Sequence, residues 1–408
     1  MSIQTKDIPI SQAISFEDGE GGKALLSLAE GAILRNLQQS LLFRHLVSPI
    51  SGSWDGKGTV KYTLTFFSQT QAYNESTGGT RQKPKYTQKF VHVDQRKILA
   101  TQIEDFDRYN VSGQNEATLG QWIANCTVSV EADLKAQFFS YINKEAKANP
   151  KKTIYLEELF SRKLLSKEAR EEIQNALSVI PRDLGSIFTD RYLNVPTNEF
   201  QGVFNNMAGK NIDMLLTGLN CSKQAFSTLI NGYVGKDNAE KWVFNGIDYY
   251  TDNLLGMDVA QGASINGDYG ITFKTDGFYG FVAHRDAFLF PFGKLIIKTR
   301  VAENFNDELG IKYECGFGIA YDELWVAITD QFKVWTNSDT LAVGNTMKLG
   351  SNGDSLRTIT YTSSDETKAT VDANGLITGV AAGSVDITAK FTNFAGVEKV
   401  AVKTITIA

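Results

Sequence analysis

Histidine and cysteine are scarce in this chain, with three of each in 408 residues. His45, His92 and His284 are too few and too scattered for chemistry built on histidine clusters. Cys126, Cys221 and Cys315 are odd in number and far apart. That argues against a disulfide framework and fits buried thiols in a reducing cytoplasm. No apolar run approaches ~18 residues, so no membrane-spanning helix is expected. A basic excess is missing as well. Lys and Arg total 41 against 46 Asp and Glu, a net charge of -5, which argues against a dedicated nucleic-acid binder. The opening stretch MSIQTKDIPISQAISFEDGEGG has no charged segment leading into an apolar one, so no secretory signal is expected.

What is present suits a folded protein. Hydrophobic residues make up 42% and aromatics 11%, enough for a large core and for two or three domains. The composition breaks near residue 333. Beyond Val334 there is no Cys, His or Pro, and Thr becomes frequent. In SVDITAKFT, Val385, Ile387, Ala389 and Phe391 alternate with Ser384, Asp386, Thr388 and Lys390, the pattern of a half-buried strand. Turn signals separate such runs at Ser351-Asn352-Gly353-Asp354, Asn374-Gly375 and Ala382-Gly383. In the last run, KVAVKTITIA, the apolar parity shifts between Val402 and Ile405, so a bulge is expected. About 75 residues of this kind predict a small antiparallel sandwich. The break also predicts that residues 334–408 fold independently.

The first ~330 residues read as mixed α and β. Gly22 to Leu46 carries Leu26, Ile33, Leu34, Leu37, Leu41 and Leu42, a helical stripe on an arm expected to pack on something else. Val60, Tyr62, Leu64 and Phe66 then alternate with polar residues, followed by a polar tip, SQTQAYNESTGGTRQKPK, and a return run, YTQKFVHVDQRKILA. This is a long hairpin. Its two arms would project about 30–35 Å, and isolated ribbons are marginal, so it is expected to rest on a neighbour. Leu119, Trp122, Ile123, Cys126, Val130, Leu134, Phe138 and Ile142 recur at helical spacing from Ala117 to about Lys147, where Asn149-Pro150 ends the helix. Residues 151–275 read as α/β, with helical stripes in SKEAREEIQNALSVI and SKQAFSTLINGYV. From Gly277 the chain returns to strands in GFYGFVA, KLIIKTRVA, GIKYECGFGIAY and ELWVAIT.

Catalytic arrangements do not assemble. Gly19-Glu20-Gly21-Gly22-Lys23 has Glu17 and Ala24 where a phosphate loop needs Gly and a hydroxyl residue. His284-Arg285-Asp286 follows a strand but has no Ser or Cys in an elbow motif, so Arg285 and Asp286 are expected in ion pairs at an element end or a subunit contact. The pairs Asp105/Asp107, Glu157/Glu158 and Glu171/Glu172 lack the spacing of a calcium loop. No enzymatic activity, cofactor or metal is expected. The basic tip, Arg81, Lys83 and Lys85 with Tyr73, is a solvated loop or a subunit contact.

Two stretches resemble known families. Ser363-Ser364-Asp365, Ala369-Thr370-Val371-Asp372, Asn374-Gly375-Leu376, Gly379-Val380-Ala381-Ala382-Gly383 and Ile387-Thr388-Ala389 resemble the bacterial Ig-like domain of intimin- and invasin-type surface proteins and phage structural proteins. Residues ~20–330, in the order arm, hairpin, long helix, α/β region and final strands, are similar to tailed-phage major capsid proteins of the Hong Kong type. Ala283-His284-Arg285-Asp286-Ala287 and Tyr313-Glu314-Cys315-Gly316 stand where that family has its A-x-R-x-A and Y-x-x-G elements.

The resemblance implies an α+β chain. A shell domain over 1–332 would comprise an arm 1–50, an extended hairpin 55–105, a spine helix 116–147 and axial and peripheral regions 150–332. An all-β Ig-like sandwich over 333–408 would follow. It implies self-assembly into pentamers and hexamers of an icosahedral head in the virion, built in the host bacterial cytoplasm. Scaffold, portal and minor head proteins would be partners, with packaged DNA held non-specifically on the inner face. Inter-subunit contacts would involve Tyr73, Arg81, Lys83, Lys85, Arg285 and Asp286. Some relatives crosslink through a hairpin Lys, but no local motif assigns that role to Lys83 or Lys85. The Ig-like module would lie on the surface, in weak contact with cells or carbohydrate. Competing readings are a tail-tube or baseplate protein, a bacterial surface adhesin, and an enzyme with an accessory Ig-like domain.

Overall fold

A computed structural model of the chain describes residues 30–37, 46, 48–51, 59–67, 86–94, 96–103, 115–156, 200–205, 222–226, 239–244, 247–252, 255, 259–261, 271–273, 278–293, 295–301, 307–353, 358–393 and 396–408. Residues 30–37 form a short helix, α1. Strands β1 (Ser48–Ser51), β2 (Thr59–Phe67), β3 (Tyr86–Asp94) and β4 (Arg96–Ile103) lead to helix α2 (Asn115–Ala148). Next come β5 (Thr153–Tyr155), β6 (Phe200–Asn205), β7 (Ser222–Phe226), β8 (Ala239–Phe244), β9 (Ile247–Asp252), β10 (Val259–Gln261) and β11 (Ile271–Phe273). Then follow β12 (Phe278–His284), β13 (Phe288–Phe292), β14 (Ile296–Val301), β15 (Asp307–Cys315), β16 (Gly318–Ile319) and β17 (Trp325–Thr329).

Two sheets frame this first part. One has seven strands in the order β5-β17-β12-β6-β9-β8-β7. The other has six, in the order β1-β13-β15-β14, with β16 on β13 and β4 on β15. Helix α2 packs on both. Val130, Leu134, Phe138 and Ile142 lie four apart, hence on one face, and all are buried. Phe138 meets Phe281 of β12 at 5.8 Å and Phe288 of β13 at 5.1 Å, both edge-on, so one side chain touches both sheets. The helix stops as Asn149-Pro150 predicts. Pro150 opens a 3-10 turn to Lys152, whose cap is the Asn149 side chain accepting from Lys151 N.

The remaining strands are β18 (Val334–Trp335), β19 (Thr340–Leu341), β20 (Thr346–Lys348), β21 (Gly350–Ser351), β22 (Thr360–Ser363), β23 (Ala369–Val371), β24 (Leu376–Gly379), β25 (Gly383–Thr392) and β26 (Glu398–Ile407). They form a four-stranded sheet, β19-β26-β25-β22, a three-stranded sheet, β20-β24-β23, and the pair β18-β21. Both sheets feed one core, where Val385, Ile387, Ala389 and Phe391 meet Ile377 and Ala369. At the Asn374-Gly375 turn, Gly375 has φ 75, a left-handed conformation that suits glycine.

Several expectations need correction. The bulge in the last strand is absent. β25 and β26 stay in register from Gly383↔Ile407 to Thr392↔Glu398. Because the alternating apolar residues of β25 face inward, so do their partners Ile405, Lys403, Ala401 and Lys399. Val400 and Val402 are therefore left on the outer face, 51% and 54% exposed. The helical stripe in SKQAFSTLINGYV fails at its start, since Ser222–Phe226 is the edge strand β7, paired antiparallel with β8. Sheet pairing overrides local periodicity there. The described residues from 200 to 273 are strands except for a turn at Leu255, whereas SKEAREEIQNALSVI lies outside the described residues. Where it is described, the apolar arm packs on its own chain, while Leu26, Leu41 and Leu42 lie outside the described residues. Ile33, Leu37 and Leu46 are buried in the main core, and Glu30 Oε1 accepts from Ile297 N of β14 at 2.8 Å.

Candidate functional site

The long ribbon is real over its two arms. β2 and β3 pair for nine residues, from Thr59↔Asp94 to Phe67↔Tyr86. Past Gln95 the chain leaves β2 and pairs with β15 instead, from Arg96↔Cys315 to Ile103↔Glu308. The ribbon is thus rooted in the six-stranded sheet. Its base rests on its own domain, where Val91 and Val93 pack against Leu289 and Ala320. Gly318 permits this approach, because a Cβ there would lie 2.6 Å from Val93 Cγ2. Phe90, between the pair carrying Val91 and the ribbon beyond, is 49% exposed. Of the candidate contact residues, Tyr73, Arg81, Lys83 and Lys85 lie outside the described residues.

Arg285 and Asp286 sit at an element end. They occupy a 3-10 turn, Arg285–Ala287, between β12 and β13, and both are exposed. His284 is buried beneath them. Its Nδ1 accepts from Asp286 N at 3.1 Å, and its ring meets Phe200 edge-on at 5.4 Å. The lone pair a general base would use is taken by the backbone, so this is a capped turn. Cys315 is also buried, and its Sγ donates toward Gln137 Oε1 at 3.5 Å. Among the described residues no group of three His, Cys, Asp or Glu side chains is placed to hold a metal ion, and no helix is long and apolar enough to cross a membrane.

Two polar clusters line α2 at i, i+4 spacing. Lys135 pairs with Asp252 of β9 at 2.7 Å. Burial raises the pKa of the neighbouring Glu131 carboxyl, opposed by Lys135 and reinforced by Asp252. One face away, Tyr313 of β15 donates to Asp133 Oδ2 at 3.4 Å. Burial pushes the Asp133 carboxyl up to about 6, against the lowering effect of that hydrogen bond. Burial and the Asp133 charge push the Tyr313 hydroxyl upward. These groups tie the helix to the two sheets.

The seam between the two halves is a hydrogen-bonded joint. Asn352 makes five hydrogen bonds there. Its Nδ2 donates to Thr153 Oγ1 and Gln331 O, its Oδ1 accepts from Lys333 N, its N donates to Lys333 O, and its O accepts from Tyr155 N. In the sequence Asn352 is one residue of a turn signal and Tyr155 one residue of a short strand, and neither pattern marks a joint.

Residues 328–403 match the model of the bacterial Ig-like domain (group 2). The C-terminal sandwich is a bacterial Ig-like domain. No curated protein sequence matches the chain. Among solved structures, the chain is similar to the capsid of the Cyanophage P-SCSP1u, at 14% identity and a TM-score of 0.38, over 70% of this chain and 86% of that one. It is similar to the capsid of Ralstonia phage GP4 at 12% identity and a TM-score of 0.39, over 69% and 86%. A third similarity, to EHEC O157:H7 intimin, has 27% identity and a TM-score of 0.16, over 19% of this chain and 46% of that one.

Proposed function

We propose that the chain is the structural subunit of a tailed-phage head shell, with the Ig-like domain carried on its outer surface. The observation that supports this most is the order of the described elements. A short helix packed on the core, a long two-stranded ribbon, a 34-residue helix bridging two sheets and a strand-rich remainder follow in the sequence of the Hong Kong-type capsid fold. The described contacts of the ribbon with its own domain are at its base, through Val91 and Val93, while the pairing of β2 with β3 continues to Phe67↔Tyr86, which suits a subunit completed by copies of itself.

In this reading the shell domain spans 1–332 and the Ig-like domain 333–408. Five or six chains form a capsomer, with Tyr73, Arg81, Lys83 and Lys85, which fall in sequence between β2 and β3, and the exposed Arg285 and Asp286 at subunit contacts. The protein works without catalysis, in the virion, after assembly in the host cytoplasm with scaffold, portal and minor head proteins. Packaged DNA touches the inner face without sequence preference, and the Ig-like domain makes weak contact with cells or carbohydrate. Sedimentation of the purified full chain, expressed alone and with a scaffold, tests the reading. Particles far heavier than a monomer support it, and a monomer under both conditions contradicts it.

A further inference from the structure

We infer that the Ig-like domain is locked in one orientation on the edge of the seven-stranded sheet, by a joint centred on Asn352 and Tyr155, and that the sheet edge and the domain open together. The inference stands on this chain's own contacts and holds whether or not the chain builds a shell.

The sheet ends at β5, three residues paired in parallel with β17 from Thr153↔Ala327 to Tyr155↔Thr329. A three-residue edge strand has little holding power of its own. Its outer side is covered by the other domain, because Tyr155 N donates to Asn352 O at 2.8 Å. The side chains cross the same seam in the opposite direction. Tyr155 is 0% exposed and belongs to the core of the Ig-like domain. It meets Phe391 at 5.4 Å and Phe332 at 6.2 Å, and those two rings are 4.8 Å apart. Phe391 lies near the end of β25, so Tyr155 plugs the base of the sandwich.

The connecting segment is held as firmly. Gln331 O and both backbone groups of Lys333 bond to Asn352, which is 4% exposed and uses both side-chain atoms. A tethered module would need a linker with free backbone groups, and here Gln331 and Lys333 are bonded to Asn352, which in turn bonds Thr153 and Tyr155 across the seam. At the rim, Lys151 Nζ donates to Asn337 Oδ1 at 2.9 Å. Asn352 and Tyr155 are thus positioning residues. Breaking the joint leaves buried amide groups unpaired on both sides, and that shared cost couples the two openings.

Hydrogen exchange of the full chain, read by mass spectrometry, tests the inference in the unaltered protein and in Asn352→Ala. In the unaltered chain, the amides of 153–156 should be as protected as those of β17. In Asn352→Ala, peptides covering 150–156 and 331–335 should both exchange at least tenfold faster. If β25 and β26 lose protection as well, the coupling extends through the whole domain, which also supports the inference. Faster exchange on one side of the seam alone, or on neither side, overturns it. Should Asn352→Ala fail to fold, the unaltered chain still decides: exchange at 153–156 more than tenfold faster than in β17 means the joint does not hold.

Discussion

Replacing Phe138 by Ala removes the ring at the meeting point of the helix and both sheets. Phe138 is 0% exposed, and its ring lies within 6.0 Å, between centroids, of Phe139, Phe281, Phe288 and Phe317. Three of these partners come from different strands or loops, so the cavity has rigid walls that cannot collapse together. Phe→Ala substitutions at such sites cost about 3–5 kcal/mol, and the upper half of that range applies where relaxation is blocked. Domain stabilities are about 5–15 kcal/mol, so the loss is a large share of the total. Val128→Ala on the same helix is the comparison. Val128 is 38% exposed, and its truncation should cost about 0.5 kcal/mol or less. Urea titration followed by tryptophan fluorescence reads both variants, since buried Trp325 lies 5.8 Å from Phe288. A Phe138→Ala loss below about 1 kcal/mol, or equal to that of Val128→Ala, would refute the helix as the element that joins the sheets.

Gly318→Val should lift the ribbon base off the sheet, because even its Cβ would overlap Val93 Cγ2, at 2.6 Å; a cost of about 1–3 kcal/mol and faster amide exchange in 86–94 are expected. Asp133 makes stability depend on pH. Its carboxyl rises from 3.8 to about 6 on folding, so the folded chain binds more protons between those values, and stability falls as pH rises from about 4 to 6 and then levels. Allowing for partial exposure, the span is about 1–2 kcal/mol. Asp133→Asn should flatten that slope in thermal melts run from pH 4 to 7, and an unchanged slope would contradict the assignment. Deleting residues 72–84 should leave folded protein with fewer shells, and an undiminished shell yield would show that the ribbon tip does not drive assembly.

Much of this fold is legible in periodicity. The Val130, Leu134, Phe138 and Ile142 stripe marks the buried face of α2, and Asn149-Pro150 marks its end. The alternation in SVDITAKFT matches the buried residues of β25 one for one. Periodicity misleads where a neighbour decides. KVAVKTITIA reads as bulged because Val400 and Val402 look like core, yet ten continuous pairs with β25 turn them outward. Ser222–Phe226 reads as helix, and edge pairing with β8 makes it a strand. The arm's stripe is visible, but its target, the chain's own core, is not. Nor does the composition break near residue 333 disclose that Tyr155 crosses it, since a buried tyrosine in a three-residue strand looks the same whichever core it enters. Arg285 and Asp286 are readable as an element end. The role of His284 as cap of that turn depends on the pairing of β12 with β6, which no local pattern specifies.

Electron microscopy of the sedimented chain decides whether it builds a shell. Closed shells, or rings of five or six subunits, with Ig-like density standing on the outer surface, are expected. Tubes with a tail-type lattice would contradict the shell reading, as would the absence of any ordered assembly when the chain is co-expressed with a scaffold.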